Sequence, residues 1–477
     1  MPTKEALVQT INRHYIDGKI RAGHGTTAQP VTSAITGEQL AVGVLGDARD
    51  AEEAVAAAKR ALPGWAATSL AERRGYLERL ASSFAAHREE MIDHLVEEFG
   101  TPAVTAGFIV DDSPNWFLDA AQMLVEETFV KQDDRATVYR VPVGVAALIT
   151  PWNGASWSIA MKTSVALAAG CTVVIKPSER GIWQAQPVLD AIADAGLPDG
   201  VINVVFGAGE PVGNILTTHP DVAKVSITGS TATGKAIARN SIDTMKRLTL
   251  ELGGKSPTVI LEDADVSSAV RFAVTAGLFN NGQSCTAGTR ILIPASREAE
   301  LKSALADAVA ALPVGDPRKE DTAVGPVLDV QQYDRAQHYI ATALQEGGEL
   351  LAGGPGRPDG LDQGSYVRPT LIATTNDRTL AQEEVFAPVL ALITYQDEEE
   401  AIAIANDTPY GLHAYVASGD VGHGHAVARR IQAGRVAVNE IIASRTAPFG
   451  GFKQSGLGRE FGAAGISEFL EDQVVFS

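Results

Sequence analysis

The sequence predicts an α/β protein built on a doubly wound parallel sheet, with a second α/β domain and a small β arm. Three observations predict it. Between Gly144 and Leu252 the short apolar runs VAALIT, TVVIK, VINVVF, AKVSIT and RLTLEL alternate with segments that read as helices, the pattern of βαβ units. The alternation resumes from about Lys255 to Arg445, with TVIL, RILIP, VLALITY, HAYVAS and VAVN as strands. Between helical regions, FVKQDDRATVYRV holds two β-like runs around the polar turn Gln132-Asp133-Asp134, which predicts a hairpin.

Each element follows from local pattern. Asp50 to Ala61 is rich in Ala and Glu, and Ser69 to Leu95 repeats apolar residues at three and four spacing through Leu77, Leu80, Phe84, Met91 and Leu95, so two helices are expected there. In the second region Ser268–Asn280, Glu298–Leu312, Asp329–Glu346, Glu399–Asn406 and Gly422–Ala433 read as helices. Gly353–Gly364, rich in Gly, Pro and Asp, reads as a surface loop, and Ser467–Ser477 as a final strand. The predicted boundaries are 1–123 with 143–252, 253–453, and 124–142 with 454–477. A chain of 477 residues exceeds what one core holds, so several domains are expected.

A formal net charge of −19 repels phosphate backbones and anionic headgroups, so neither nucleic acid nor a membrane surface is an expected partner. The N-terminus lacks an apolar stretch of the secretory kind, and the run around Val141 to Trp152 is too short to span a bilayer. The cytoplasm is the expected compartment. Cys171 and Cys285 are the two cysteines, too few for a disulfide framework in a chain of this size. No metal site is expected: there is no C-x-x-C, and His423 and His425 have no other ligand nearby in sequence and read as surface residues.

In a doubly wound sheet, ligands bind beyond the carboxyl ends of the strands. That places Thr150 to Asn153, Lys176 to Glu179, Gly207 to Gly209 and Thr228 to Ser230 on one edge. Lys176 and Glu179 are suited to the hydroxyls of an adenosine ribose, with Glu179 repelling a 2′-phosphate; a salt-bridged strand end is the alternative. Gly229 to Gly234 can face a pyrophosphate at a helix start, or be an ordinary turn, and the same holds for Gly207-Ala-Gly209. Cys171 lies in an apolar run and reads as inert packing, whereas Cys285 lies in the polar stretch FNNGQSCTAGTR. Nearby amide dipoles there can lower a thiol's pKa, so a reactive thiol and a structural one both stay open. Glu251 ends an apolar strand before Gly253-Gly254; burial suits it as a base, and it can equally tie down the turn. Asn153 is either an oxyanion donor or a helix N-cap.

Taken together, ITPWN, KPSE, TGS-x-x-x-G, LELGGKSP, GQSC, EEVFAPV and PFGGFKQSGLGRE, in this order, resemble the NAD(P)-dependent aldehyde dehydrogenase superfamily. The resemblance runs from IDGK near residue 17 to the final strand. It implies a Rossmann-like NAD-binding domain, a catalytic domain and an oligomerisation arm. It further implies Cys285 as nucleophile, Glu251 as general base, Asn153 as oxyanion donor and Lys162 as a supporting lysine near the active-site entrance. Thr150, Trp152, Lys176, Ser178 and Glu179 fall to the cofactor, as do Gly209, Gly229, Ser230 and Leu252, with Glu384 and Phe386 at the nicotinamide end. Asn439 and Phe449-Gly450-Gly451 match the wall over the catalytic loop. The cofactor implied is NAD, with NADP possible, and the assembly a homodimer or homotetramer.

The chain departs from the family pattern at Gly154-Ala155, where relatives carry Phe-Pro, and at Ile227, Ala387 and Met161. Met161 replaces an arginine that semialdehyde-specific relatives often carry, which disfavours a carboxylate-bearing substrate unless Arg445 serves instead. A CoA-acylating enzyme is the nearest rival, and Glu251 argues against it. A non-redox esterase and a catalytically silent protein on the same fold are the others.

Overall fold

The computed structural model describes residues 9–441 and 444–476. Its first sheet has eight strands. In spatial order these are Gly456–Leu457, Arg247–Glu251, Val222–Thr228, Val145–Ile149, Thr172–Lys176, Ile202–Val204, His14–Ile16 and Lys19–Arg21. The five central strands run parallel, and the outer ones pair antiparallel. Val145–Ile149 is fully buried, as the near-continuous apolar run VAALI requires of a strand covered on both faces. The chain winds outward from it through Thr172–Lys176 and Ile202–Val204, then returns to Val222–Thr228 on its other side. The strand order therefore reverses between Val145–Ile149 and Val222–Thr228, where ligands of such sheets bind.

The second sheet has seven strands: Glu349–Ala352, Thr370–Ala373, Val389–Tyr395, Arg290–Pro294, Pro257–Ile260, His413–Ala417 and Arg435–Val438. All but the first run parallel. The arm is a three-stranded antiparallel sheet in which Ala136–Pro142 lies between Val130–Asp133 and Leu470–Phe476.

Four expectations from the sequence need adjusting. The helix expected over Ser69–Leu95 is two helices, Leu70–Ala86 and Arg88–Phe99, that meet at His87. No Gly or Pro marks the break, and both pieces bury apolar residues at helical spacing, so the sequence pattern runs through it. The helix expected to Ala433 stops at Ala428. The hairpin turn falls at Asp134-Arg135, one step later than the polar triplet suggests. The segment grouped with the tail from residue 454 supplies Gly456–Leu457 to the edge of the first sheet before the chain reaches the arm. The sheet formed by Gln9–Ile11, Gln39–Leu45 and Thr27–Thr32 has no counterpart among the expected elements.

Candidate active site

Asn153 lies in the short loop after Val145–Ile149. Gly154, at φ 150°, is the N-cap of the helix Ala155–Ala169, and no side chain caps that helix. The Asn153 amide is thus not spent on the helix. Its Nδ2 donates to the Gln283 carbonyl at 2.9 Å, two residues before Cys285.

The Cys285 loop leaves the helix Val266–Leu278 through Asn280, Asn281 and Gly282, all left-handed at φ 54°, 60° and 69°. Asparagine tolerates that region better than other residues with a Cβ, and here both side chains fasten the turn. Asn280 accepts from Thr101 Oγ1 at 3.0 Å and donates to the Asn153 carbonyl at 3.3 Å. Asn281 donates to the Gly100 and Pro326 carbonyls and accepts from Gly325 N–H. At Gly254 an added Cβ would lie 2.4 Å from the Cys285 carbonyl oxygen, so the glycine permits the close approach that the Gly-Gly turn predicts. The Cys285 thiol is pushed up to about 12, first by burial and then by the Glu384 and Glu251 carboxylates. This corrects the expectation of a lowered thiol: polar neighbours in sequence count for less than desolvation and two converging negative charges.

Glu251 ends the strand Arg247–Glu251 and is 2% exposed. Neither carboxylate oxygen has a hydrogen-bond partner among the described residues. Burial, and next the Glu460 carboxylate, raise its pKa well above the ordinary range. Gly450 (φ 156°) passes so close that a Cβ there would come within 2.8 Å of Glu251 Oε1. Lys162 is buried and pairs with Glu460 and with Ser226 Oγ, the latter at 3.1 Å; Ser226 also donates to Glu460 at 3.0 Å. Lys162 therefore stands in the interior behind Glu251 rather than at an entrance. Its helix is buried on almost every face, so no apolar stripe in the sequence tells which way the lysine points.

The remaining predicted residues gather along the carboxyl edge of the first sheet. Thr150 is buried with its Oγ1 unpartnered, and Thr228 Oγ1 is likewise. Trp152 is wedged edge-on between Phe99 and Phe386, each at 5.3 Å. Lys176 Nζ lies 3.0 Å from Glu179 Oε2, and Ser178 Oγ accepts from Arg180 N–H. Gly209 faces open space. Gly229 N–H donates to the Glu251 carbonyl, and Ser230 caps the helix Thr231–Ser241 by accepting from Thr233 N–H. Leu252 is buried against Gly234 of that helix. Glu384 accepts from Gly254 N–H at 3.0 Å, and burial lifts its carboxyl to about 7. Phe386 holds φ 63°. Arg445 is held by Asp112 at 2.8 Å and Asp119 at 2.7 Å, both on the helix Ala103–Gln122. His423 pairs with Glu398 at 2.5 Å, on the surface.

Cys285, the unpartnered buried carboxylate of Glu251 and the Asn153 amide thus gather beyond the carboxyl ends of the first sheet's parallel strands. Compared with known proteins, the chain matches the aldehyde dehydrogenase family over residues 20–475. It belongs to that family. The 3-succinoylsemialdehyde-pyridine dehydrogenase of a Pseudomonas species is 40% identical over 464 residues, covering 97% of each chain. Aldehyde dehydrogenase C of Pseudomonas syringae, solved with NAD+ and octanal, superposes with a TM-score of 0.96 at 40% identity over 98% of this chain and 96% of that one. An aldehyde dehydrogenase of Mycobacterium tuberculosis solved with NAD+ gives 0.94 at 36% identity over 98% and 99%.

For a member of this family, three contributors escape the sequence pattern: Glu460, Gln184 and Glu98. Glu460 closes the quoted motif PFGGFKQSGLGRE, and its position there is the available signal. Gln184 and Glu98 carry none, because their partners are backbone groups distant in sequence.

Proposed function

We propose that this chain oxidises an aldehyde to its carboxylic acid with NAD, through a thioester on Cys285 that water hydrolyses. The observation that carries the reading is the joint between Asn153 and the Cys285 loop, with Glu251 buried and unpartnered nearby. The thiol gives up its proton to solvent water as the sulfur adds to the carbonyl carbon, and both Glu251 oxygens stay free for the later step. The oxyanion so formed lies within the reach of the Asn153 amide and the Cys285 backbone N–H, donors already oriented before reaction. Glu251 then accepts a proton from the water that cleaves the thioester, releasing the acid and the thiol.

The unpartnered Thr150 and Thr228 hydroxyls, the open space at Gly209 and the helix start after Gly229-Ser230 fit a dinucleotide, with Lys176 and Glu179 at the adenosine end and Glu384 and Phe386 at the other. When bound, NAD supplies the acceptor for the hydride leaving the aldehyde carbon. An uncharged, apolar aldehyde fits best, supported by Arg445 being already paired to two carboxylates and by the octanal bound in a structural neighbour.

The arm supports a homodimer or homotetramer. Tyr139, Val141, Val474, Val475 and Phe476 are exposed on it, and an apolar sheet with a free edge needs a covering chain. Light scattering on the purified protein checks this. The cytoplasm is the compartment in which both free cysteines, one of them the nucleophile, stay reduced. Among the described residues no helix is long and apolar enough to cross a membrane. Cys285→Ala tests the chemistry: it abolishes NADH formation from aldehyde while NAD still binds, and retained turnover would remove Cys285 from its role.

A further inference from the structure

We propose that Gln184 is a positioning residue for Asn153, setting the oxyanion donor in place from behind, with Glu98 as its anchor; this rests on reading Asn153 as that donor. One side-chain amide grips both flanks of Asn153. Gln184 Nε2 donates to the Trp152 carbonyl at 2.8 Å, and Gln184 Oε1 accepts from Ala155 N–H at 3.1 Å. A carbonyl only accepts and an N–H only donates, so these partners fix which way the amide faces. Displacing the Trp152–Ala155 backbone that carries Asn153 away from the Cys285 loop disturbs both bonds together.

The grip is itself held. Gln184 is 2% exposed. Its backbone N–H donates to Glu98 Oε2 at 2.7 Å, and the preceding Trp183 N–H donates to Glu98 Oε1 at 3.2 Å. Trp183 also stacks on His94 at 4.6 Å and accepts from His94 Nδ1 at 2.8 Å. Both Glu98 and His94 belong to the helix Arg88–Phe99. The seat has no spare room, since a Cβ at Gly181 would stand 2.9 Å from Gln184 Nε2. A rigid helix therefore dictates the loop that carries the oxyanion donor. Misplacing a reacting group by about 1 Å can cost about 10²-fold in rate, the scale of effect this support controls.

The test is a double-mutant cycle on the first-turnover rate of NADH formation with octanal. Three variants disturb the grip: Gln184→Leu, which removes both bonds; Gln184→Glu, of equal size, which sets an oxygen against the Trp152 carbonyl; and Gly181→Ala, which crowds the amide. Each is expected to slow the first turnover about 10- to 100-fold, with the NAD dissociation constant unchanged. In an Asn153→Ala background the same changes should cost no more than about 2-fold, because coupled residues do not add. Equal losses in both backgrounds, or a wild-type rate in Gln184→Leu, overturn the proposal. If Gln184→Leu does not fold, the other two variants complete the cycle and decide the question in the same way. Should Asn153→Ala alone leave the rate unchanged, the reading of Asn153 falls and this proposal with it; if Asn153→Ala is costly but the losses multiply, only the proposal falls.

Discussion

Asn153 Nδ2 lies 2.9 Å from the Gln283 carbonyl oxygen, joining two loops 130 residues apart in the chain. One loop ends a strand of the first sheet and the other presents Cys285 from the second domain. The amide is thus tied to the loop that carries the sulfur before any substrate enters. Replacing Asn153 by Ala removes one oxyanion donor and should lower kcat about 10²- to 10³-fold, while KM for NAD stays within about 2-fold, since an interaction gained in the transition state acts on kcat. Steady-state kinetics with both substrates varied checks the split.

Glu251 should act after hydride transfer as the acceptor of a water proton. Glu251→Gln then leaves a burst of NADH about equal to the enzyme concentration and suppresses the steady state that follows. A vanished burst would mean that Glu251 is also required to deprotonate Cys285. The Glu460 carboxylate helps to raise the Glu251 pKa and Lys162 opposes it. In Glu460→Gln a negative neighbour is gone and the Lys162 charge loses its partner, and both changes favour ionised Glu251. The acidic limb of the deacylation rate should move to lower pH. The variant also strands a buried cation, at a stability cost of about 3–5 kcal/mol, visible as a lower Tm.

Glu98 predicts a pH dependence of stability. Burial lifts its carboxyl to about 8. Between its ordinary value of about 4.5 and 8, the folded chain keeps a proton that the unfolded chain has released, so this group makes stability fall as pH rises through that window. Glu98→Gln has no proton to lose. The Tm difference between wild type and Glu98→Gln, measured at pH 5.5 and pH 8.5, should shift in favour of the variant at the higher pH. A constant difference would show that Glu98 is ionised throughout.

Some of this is legible in the chain. The five runs from VAALIT to RLTLEL become the central strands of the first sheet because each is a short β-prone stretch, continuous or alternating in apolar residues, bounded by turns. Asn-Asn-Gly before Gln-Ser-Cys signals a turn, and the structure uses all three residues in the left-handed region. Direction is hidden where a helix is buried all round, so the sequence does not show that the Lys162 side chain turns into the interior; the entrance position comes only from the resemblance. The thiol's state is hidden because Glu251 and Glu384 reach Cys285 from 34 and 99 residues away in sequence. Gln184 is hidden because a glutamine bonded to backbone groups leaves no composition or spacing to notice.

Arg445 offers a test of substrate charge. Its guanidinium is bonded to Asp112 and Asp119, and Asp112 also accepts from Trp157 Nε1 at 3.0 Å. A substrate carboxylate would have to displace these acids. Arg445→Ala should therefore not selectively impair aldehydes bearing a carboxylate. Asp119→Asn, which frees part of the guanidinium, should improve kcat/KM for such aldehydes relative to octanal. Parallel kinetics with octanal and a short semialdehyde acid decide it, and a selective loss in Arg445→Ala would make Arg445 a substrate ligand.

Glu179 sets the last expectation. It accepts from Lys176 at 3.0 Å at the carboxyl end of Thr172–Lys176 and is half-buried, so solvent screens it only in part. A carboxylate beside an adenosine ribose can accept from both hydroxyls, whereas a 2′-phosphate there meets like charge. Like-charge contact across an interface costs up to several kcal/mol, ample for a clear preference for NAD. Glu179→Gln removes the repulsion, keeps an acceptor for a ribose hydroxyl and leaves Lys176 free to meet a phosphate. The ratio of kcat/KM for NADP to that for NAD should rise about 10-fold or more, the equivalent of about 1.4 kcal/mol, mainly through a lower KM for NADP. The effect should weaken at high ionic strength, as a screened repulsion does. An unchanged ratio would place the ribose beyond the reach of Glu179 and leave the Lys176–Glu179 pair as a purely structural strand end.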